Sequence, residues 1–234
     1  MNRKFRLSLV AAVVIAALIM AFGAHAPAMG QDEVKITILH LNDVHGRMDA
    51  FKPSGATEEV GGLSKVALLV REMRAKATNE ILLLSAGDMI HGTNVVNLFG
   101  GQPMIEVMND MGFAAMTLGN HEFNYGQERL LFLQSIAKFP FLAANVVKAG
   151  TGAPLATPYV VETVAGVRIG MFGLSPMDTP IVTHPMNVVG LKFLDPVKVA
   201  AEMVETIRGQ ADIVLCLSHL GYAEDKALAA AVPG

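Results

Sequence analysis

The chain has 234 residues, 52% of them hydrophobic, with a formal charge of −3 and one cysteine. That length accommodates one α/β domain with a sizeable core, and the near-balanced charge offers no basic excess for a nucleic-acid polymer and no charged tail. A lone Cys216 with no CxxC motif excludes an internal disulfide and a thiolate zinc site.

In chain order, Asn2-Arg3-Lys4-Phe5-Arg6 is a basic opening, Leu7 to Phe22 is apolar apart from Ser8, and Ala28-Met29-Gly30 before Gln31 fits a small-residue cleavage site. This pattern predicts a signal peptide over residues 1–30 and export to the periplasm or the medium. The alternative is an uncleaved anchor, but the apolar run is shorter than the roughly 20 residues that span a bilayer. Any membrane contact is then transient, through that segment alone. No Cys lies near the cleavage site, which argues against a lipoprotein.

Lys35 to Leu41 reads as a strand from its β-branched content. Leu63 to Lys76 has apolar residues at helical spacing, and Glu80 to Ser85 is a continuous apolar run, as in a strand buried on both faces. Gln102 to Met111 reads as a helix ended by Gly112, Ala114 to Leu118 as a strand, Gln127 to Lys138 as a helix, and Phe141 to Val146 as a strand. Pro158 to Thr163 and Val167 to Gly173, joined at Ala165-Gly166, predict a hairpin. Leu174 to Gly190 reads as a long surface loop. Asp195 and Pro196 open a helix to about Arg208, Ala211 to Leu217 is another buried strand, and Glu224 to Ala231 begins a further helix. Alternating strands and helices imply a layered, mostly parallel α/β sheet with one mixed region, and no repeat or second domain.

Four polar cassettes follow apolar runs: Asn42-Asp43-Val44-His45, Gly87-Asp88, Gly119-Asn120-His121-Glu122 and Ser218-His219. Ligands in open α/β sheets bind beyond the carboxyl ends of the strands, so the cassettes are expected along the edge of one sheet. Carboxylates gathered there repel each other unless a cation joins them. Asp43 and His45, at i and i+2 in an extended segment, point the same way and can share a metal; taken alone, the pair fits a surface turn better. Asp88 can bridge two metals or form an Asx-turn. Asn120 offers a neutral oxygen suited to a hard cation, leaving His121 to face substrate as a phosphate-binding group or general acid. Glu122 reads as a supporting or helix-terminal charge. His219 ends a buried strand and can ligate, although on its own a structural histidine fits as well. His40 reads as core or packed against a helix, His91, just past Asp88, as a loop residue with bordering the site as the alternative, His184 as a loop residue, and Cys216 as a small core residue.

As a set, the segments ILHLNDVHGRMD, GGLSKVA, LLLSAGDMIHGT, MTLGNHEFNYG, LAANV and LCLSHLG resemble the calcineurin-like metallophosphoesterases. Within them the chain is most similar to the secreted 5′-nucleotidase family, with its UDP-sugar hydrolase and cyclic-nucleotide phosphodiesterase branches. The likeness runs from about Val34 to Gly234. It implies a layered α/β/β/α sandwich with mixed sheets, and two divalent metal ions, zinc or manganese among them. Asp43 and His45 would hold the first ion, Asp88 would bridge, and Asn120 and His219 would hold the second. His121 would contact the transferring phosphoryl group and assist the leaving group of a nucleotide or other small phosphate ester. Two departures stand out. The family often has Asp where this chain has Asn124, as a partner for the catalytic imidazole, and the Asn form resembles the cyclic-phosphodiesterase branch. The family also continues into a Gly-His-x-His segment and a base-stacking C-terminal domain, so residues 31–234 are expected to be a partial catalytic domain, incomplete at its C-terminus and weak in retaining metal. The competing expectations are a non-catalytic exported metal- or phosphate-binding fragment and a thiosulfate-processing relative of the same fold.

Overall fold

The structure is a computed structural model that describes residues 33–233, so the predicted signal peptide lies outside the described residues. Four strands build a parallel sheet in the order β1 (Ile36–Leu41), β2 (Glu80–Ser85), β3 (Ala115–Thr117) and β4 (Phe141–Leu142). Between them run α1 (Leu63–Lys76), then α2 (Asn94–Leu98) and α3 (Gln102–Met111), then α4 (Gly126–Ile136). Strand β5 (Val146–Lys148) leaves this sheet. The hairpin of β6 (Tyr159–Val164) and β7 (Val167–Leu174) then opens a second sheet, in which β9 (Ile213–Ser218) lies parallel to β7. Between β7 and β9 come α5 (Thr179–Val182), β8 (Leu191–Phe193) antiparallel to β5, and α6 (Pro196–Arg208), while α7 (Tyr222–Ala231) follows β9. Among the described residues no helix is long and apolar enough to cross a membrane.

The layering follows from how apolar residues alternate along the strands. In β2, Leu83 joins a core with Val70 of α1, Met104 and Met108 of α3 and Leu133 of α4. Its neighbours Leu82 and Leu84 face the other way, onto Ile169 and Met171 of β7 and Leu217 of β9. Phe172 and Leu174, on the opposite face of β7, meet Val199, Ala200 and Ile207 of α6 and Leu228 of α7. Three cores thus separate four layers, α/β/β/α, as expected.

Several local expectations need correction. The predicted strand Phe141 to Val146 breaks after Leu142, because Ala143 and Ala144 donate to Thr157 and Gly173 while the Asn145 amide spans Ser175 and Leu194. The chain crosses here from one sheet toward the other. The segment Leu174 to Gly190 is not a plain surface loop: it carries α5 and a 3-10 turn over Pro185–Val188, and it buries Ser175, Thr179, Thr183 and Val188. Helix α2 and the β5–β8 ribbon are too short to leave a periodic signal. His40 is exposed rather than packed under a helix, since β1 has only β2 as a neighbour among the described residues and His40 looks into an open cavity of about 980 Å³. Cys216 lines the same cavity from β9 and is likewise exposed.

The two sheets come into close contact at Gly173, where an added Cβ would collide with the Leu142 carbonyl oxygen and stand 2.6 Å from Thr117 Oγ1. Neither neighbour can yield without shifting a sheet. Gly173→Ala is therefore expected to cost about 1–3 kcal/mol of unfolding free energy, read as a lower urea midpoint, and an unchanged midpoint would show that the inter-sheet seam is looser than this spacing implies.

Candidate metal centre

The cassettes lie at strand ends, but not along one sheet. Asp43, His45, Asp88, Asn120 and His121 follow β1, β2 and β3 of the first sheet, whereas His219 follows β9 of the second. The site sits on the seam between the sheets.

The Asp43–His45 segment is not extended, as the i, i+2 expectation assumed. Asp43 and His45 take positive φ, 54° and 49°, and so does Asp88 at 56°. Left-handed backbone costs a non-glycine residue roughly 1–2 kcal/mol. Backbone bonds between the two loops hold it in place: Asp43 donates to Gly87, His45 to Asp88 and Gly46 to Met89, at 2.9–3.0 Å. His45 Nε2 still comes within 3.4 Å of Asp43 Oδ1.

Asp88 is the hub. Its carboxylate is buried, with Oδ2 3.2 Å from His219 Nε2 and 4.0 Å from His121 Nε2, and Oδ1 accepts the His121 backbone N–H at 2.9 Å. Asp43, Asp88 and His219 each bring one ligand atom within 4.8 Å of the others, and His45, Asp88 and His121 do the same. Both groups share Asp88. Asn120 lines the same cavity as Asp43 and His219. Gly119 is required beside them, because a Cβ there would collide with Asp88 Oδ1 and fall 2.9 Å from His219 Nε2.

Glu122 supports the loops from below, which matches its expected role. It is fully buried, and its oxygens accept the backbone N–H groups of Gly119, Asp88 and Met89 at 2.7–2.8 Å. Burial and the neighbouring Asp88 charge push its pKa up to about 7, against the pull of those donors. Burial also works to raise Asp88, but the His219 hydrogen bond and charge and the His121 N–H hold it below its ordinary value.

The donor set fits a cation. His219 Nδ1–H donates to the Ala86 carbonyl at 2.6 Å, so the nitrogen that faces Asp88 is Nε2. A bare imidazole lone pair 3.2 Å from a carboxylate oxygen is repulsive, and the pair needs a proton or a metal ion between them. Without metal the proton takes that place: burial opposes it, but the Asp88 bond and charge and the Ala86 carbonyl raise His219 to about 9. Nitrogen and oxygen donors without thiolate suit zinc or manganese rather than a soft ion.

Two residues around His121 had no role in the sequence reading, Tyr125 and Thr183, and His91 borders the site from its loop. The His91 ring stacks on His121 with centroids 5.2 Å apart, and Tyr125 tilts against His91 at 5.6 Å. His91 is in a loop, as expected; its closeness to Asp88 in the chain was the available signal. Burial, then the charges of His121 and His45, lower its pKa. Asn124 Nδ2 lies 2.7 Å from His121 Nδ1, and Thr183 Oγ1 donates to Asn124 Oδ1 at 2.9 Å. Thr183 lies 59 positions from Asn124, too far for any local pattern to connect them. His184 is in its loop, accepting from the Met186 N–H.

One buried carboxylate, Asp88, is common to two donor groups that each include a histidine, at the seam of two packed sheets. The chain belongs to the calcineurin-like phosphoesterase family, whose model matches residues 36–230. It is 35% identical over 212 residues to the 5′-nucleotidase of Rattus norvegicus, covering 86% of this chain and 36% of that protein. It is 33% identical over 245 residues to the 2′,3′-cyclic-nucleotide 2′-phosphodiesterase/3′-nucleotidase of Haemophilus influenzae, covering 96% and 36%. The crystal structure of a 5′-nucleotidase precursor from Thermus thermophilus superposes with a TM-score of 0.74 at 34% identity, over 83% of this chain and 39% of that one. The chain thus spans little more than a third of the length of the relatives it matches.

The two raised pKa values define a pH test on the metal-free protein. Glu122 moves from 4.5 to about 7 and His219 from 6.5 to about 9, so the folded state holds extra protons across that range. Their stabilisation is complete below the unfolded values and is lost as pH rises through the folded ones. Asp88, shifted down, acts oppositely and loses its contribution only in acid, below its ordinary 3.8. In chelator, Tm is expected to fall from about pH 5 to about pH 9, and saturating Mn²⁺ should flatten the decline by replacing those protons. A Tm independent of pH in chelator would contradict this proton balance.

Proposed function

We propose that this chain is the catalytic part of a longer exported phosphoesterase that uses two divalent ions to hydrolyse phosphate esters of nucleotides. The observation that carries the reading is Asp88, one buried carboxylate common to two ligand groups. Asp43 and His45 would hold one ion and Asn120 and His219 the other, with Asp88, common to both donor groups, serving both. The closeness of Asp43 to His219 as well as to His45 supports a compact pair rather than two separate sites. The basic, apolar and small-residue order of residues 1–30 supports export, with residues 31–234 forming the catalytic domain.

When bound, the ions supply the positive charge that holds the phosphate and lowers the pKa of a water molecule. The chain's own groups do the rest. Glu122 and the backbone bonds between the loops fix the ligand oxygens before substrate arrives. His121, with Nδ1 occupied by Asn124, directs Nε2 toward the cluster, where it can donate a proton to the leaving oxygen.

A second reading differs only in substrate. Asn124 in place of a carboxylate, together with the similarity to the Haemophilus influenzae enzyme, favours a cyclic diester. Phosphate release from 5′-AMP, and nucleotide release from 2′,3′-cyclic AMP, measured on the full-length protein with Mn²⁺ or Zn²⁺, separates the two. His121→Gln is expected to lower kcat about 10²–10⁴-fold, and Asp88→Asn to lower the metal content as well. A metal-loaded protein that cleaves neither ester would instead support a non-catalytic binding role. Asn124→Asp adds a carboxylate beside the imidazole, so the alkaline limb of the activity profile should move to higher pH; an unmoved limb would mean that residue 124 does not act through His121.

A further inference from the structure

The peptide between Leu118 and Gly119 lies against the cluster, since a Cβ on Gly119 would collide with Asp88 Oδ1 and fall 2.9 Å from His219 Nε2. Both sides of that peptide are held. Its N–H donates to Glu122 Oε2 at 2.7 Å. Its carbonyl, on fully buried Leu118 just past β3, needs a donor and accepts Ser175 Oγ at 2.7 Å. The two anchors come from different layers. Glu122 belongs to the loop after β3 of the first sheet, whereas Ser175 directly follows β7 of the second.

Ser175 is itself fixed. It is fully buried, and the fully buried Asn145 amide takes both its backbone N–H and its carbonyl at 2.8 Å. Asn145 Nδ2 also reaches the Leu194 carbonyl at 3.2 Å. The residue before Ser175, Leu174, accepts the His219 backbone N–H at 3.0 Å. A short path therefore joins the two halves of the site. It runs from His219 through the Leu174 carbonyl to Ser175, and from the Ser175 hydroxyl to the peptide that leads into Asn120. An apolar core resists separation of the sheets but has no direction; a buried hydroxyl-to-carbonyl bond sets both distance and angle.

We propose that Ser175 is a positioning residue that registers Asn120 of the first sheet against His219 of the second, and so governs the ion those two side chains would share. The role rests on the two-ion reading above. The ion assigned to Asp43 and His45 draws on it less, because both residues come from the one loop after β1.

The test is calorimetric titration of the metal-free, full-length protein with Mn²⁺. Wild type is expected to bind two ions. Ser175→Ala should weaken one of them about tenfold and leave the other within about twofold. Thr179→Val is the matched control: Thr179 is fully buried in the same segment, and its hydroxyl donates to the Pro176 carbonyl at 2.7 Å, a bond that crosses no seam. It should lower Tm in chelator by an amount similar to Ser175→Ala and change neither affinity by more than about twofold. Ser175→Thr, which keeps the hydroxyl, should bind both ions as wild type does. If its methyl group prevents folding, Ser175→Cys, a weaker donor, should fall between wild type and alanine. Equal weakening of both ions, the same weakening by Thr179→Val, or unchanged affinities in Ser175→Ala would overturn the proposal. A wild type that takes up no second Mn²⁺ would sink the two-ion reading and this role with it, whereas a two-ion wild type with the wrong pattern among the variants would sink this role alone.

Discussion

The site is organised around one buried charge. Asp88 is 2% exposed, and a second buried carboxylate, Glu122, lies beneath it. Two such groups side by side are costly in a low-dielectric interior unless positive charge or hydrogen-bond donors compensate them. Here the donors are shared out. Glu122 takes the backbone N–H groups of Gly119, Asp88 and Met89, which leaves Asp88 Oδ2 to the imidazoles while Oδ1 accepts the His121 N–H. Much of the local geometry follows from this division: the glycine at 119, the paired loops after β1 and β2, and the Ala86 carbonyl that turns His219.

Placing that charge at a seam has a structural consequence. Candidate ligands from β1, β2 and β3 meet one from β9 only if the two sheets keep a fixed spacing and register. The inter-sheet core of Leu82, Leu84, Ile169, Met171 and Leu217 keeps them so, and Gly173 lets the strands approach to backbone contact. Packing far from the cluster thus determines whether His219 reaches Asp88. A loop-borne site on one sheet would tolerate more slack than this one can.

The sequence disclosed the parts of this arrangement that repeat at short range. The run EILLLS showed burial on both faces, and the four cassettes showed where polar groups gather at strand ends. It did not disclose which sheet each cassette joins, because β9 reads locally like any other buried strand; its parallel pairing with β7 assigns it to the second layer. Nor did it disclose the 174–190 segment as part of the site. Its prolines and glycine look like loop punctuation, while its contribution is a hydroxyl brought to Asn124 by tertiary folding. The i, i+2 argument for Asp43 and His45 failed for a related reason: the loop pairing that forces positive φ on both is non-local.

That strain locates the site independently of any resemblance. Among the described residues four non-glycine positions have positive φ: Asp43, His45, Asp88 and Ala165. Ala165 sits in the two-residue hairpin turn, where such a conformation is the usual solution. The other three are all charged or imidazole side chains of one cluster; His45 shares with Gly46 the turn closed by the Arg47 N–H on the Val44 carbonyl, whereas Asp43 and Asp88 lie outside that turn. Left-handed backbone at three adjacent points survives only where surrounding structure over-determines it, and the paired loops supply that support. Folding stability alone would favour glycine at each of these positions, as it has at Gly87 and Gly46 beside them. Side chains kept there at a conformational cost are there for what their atoms hold.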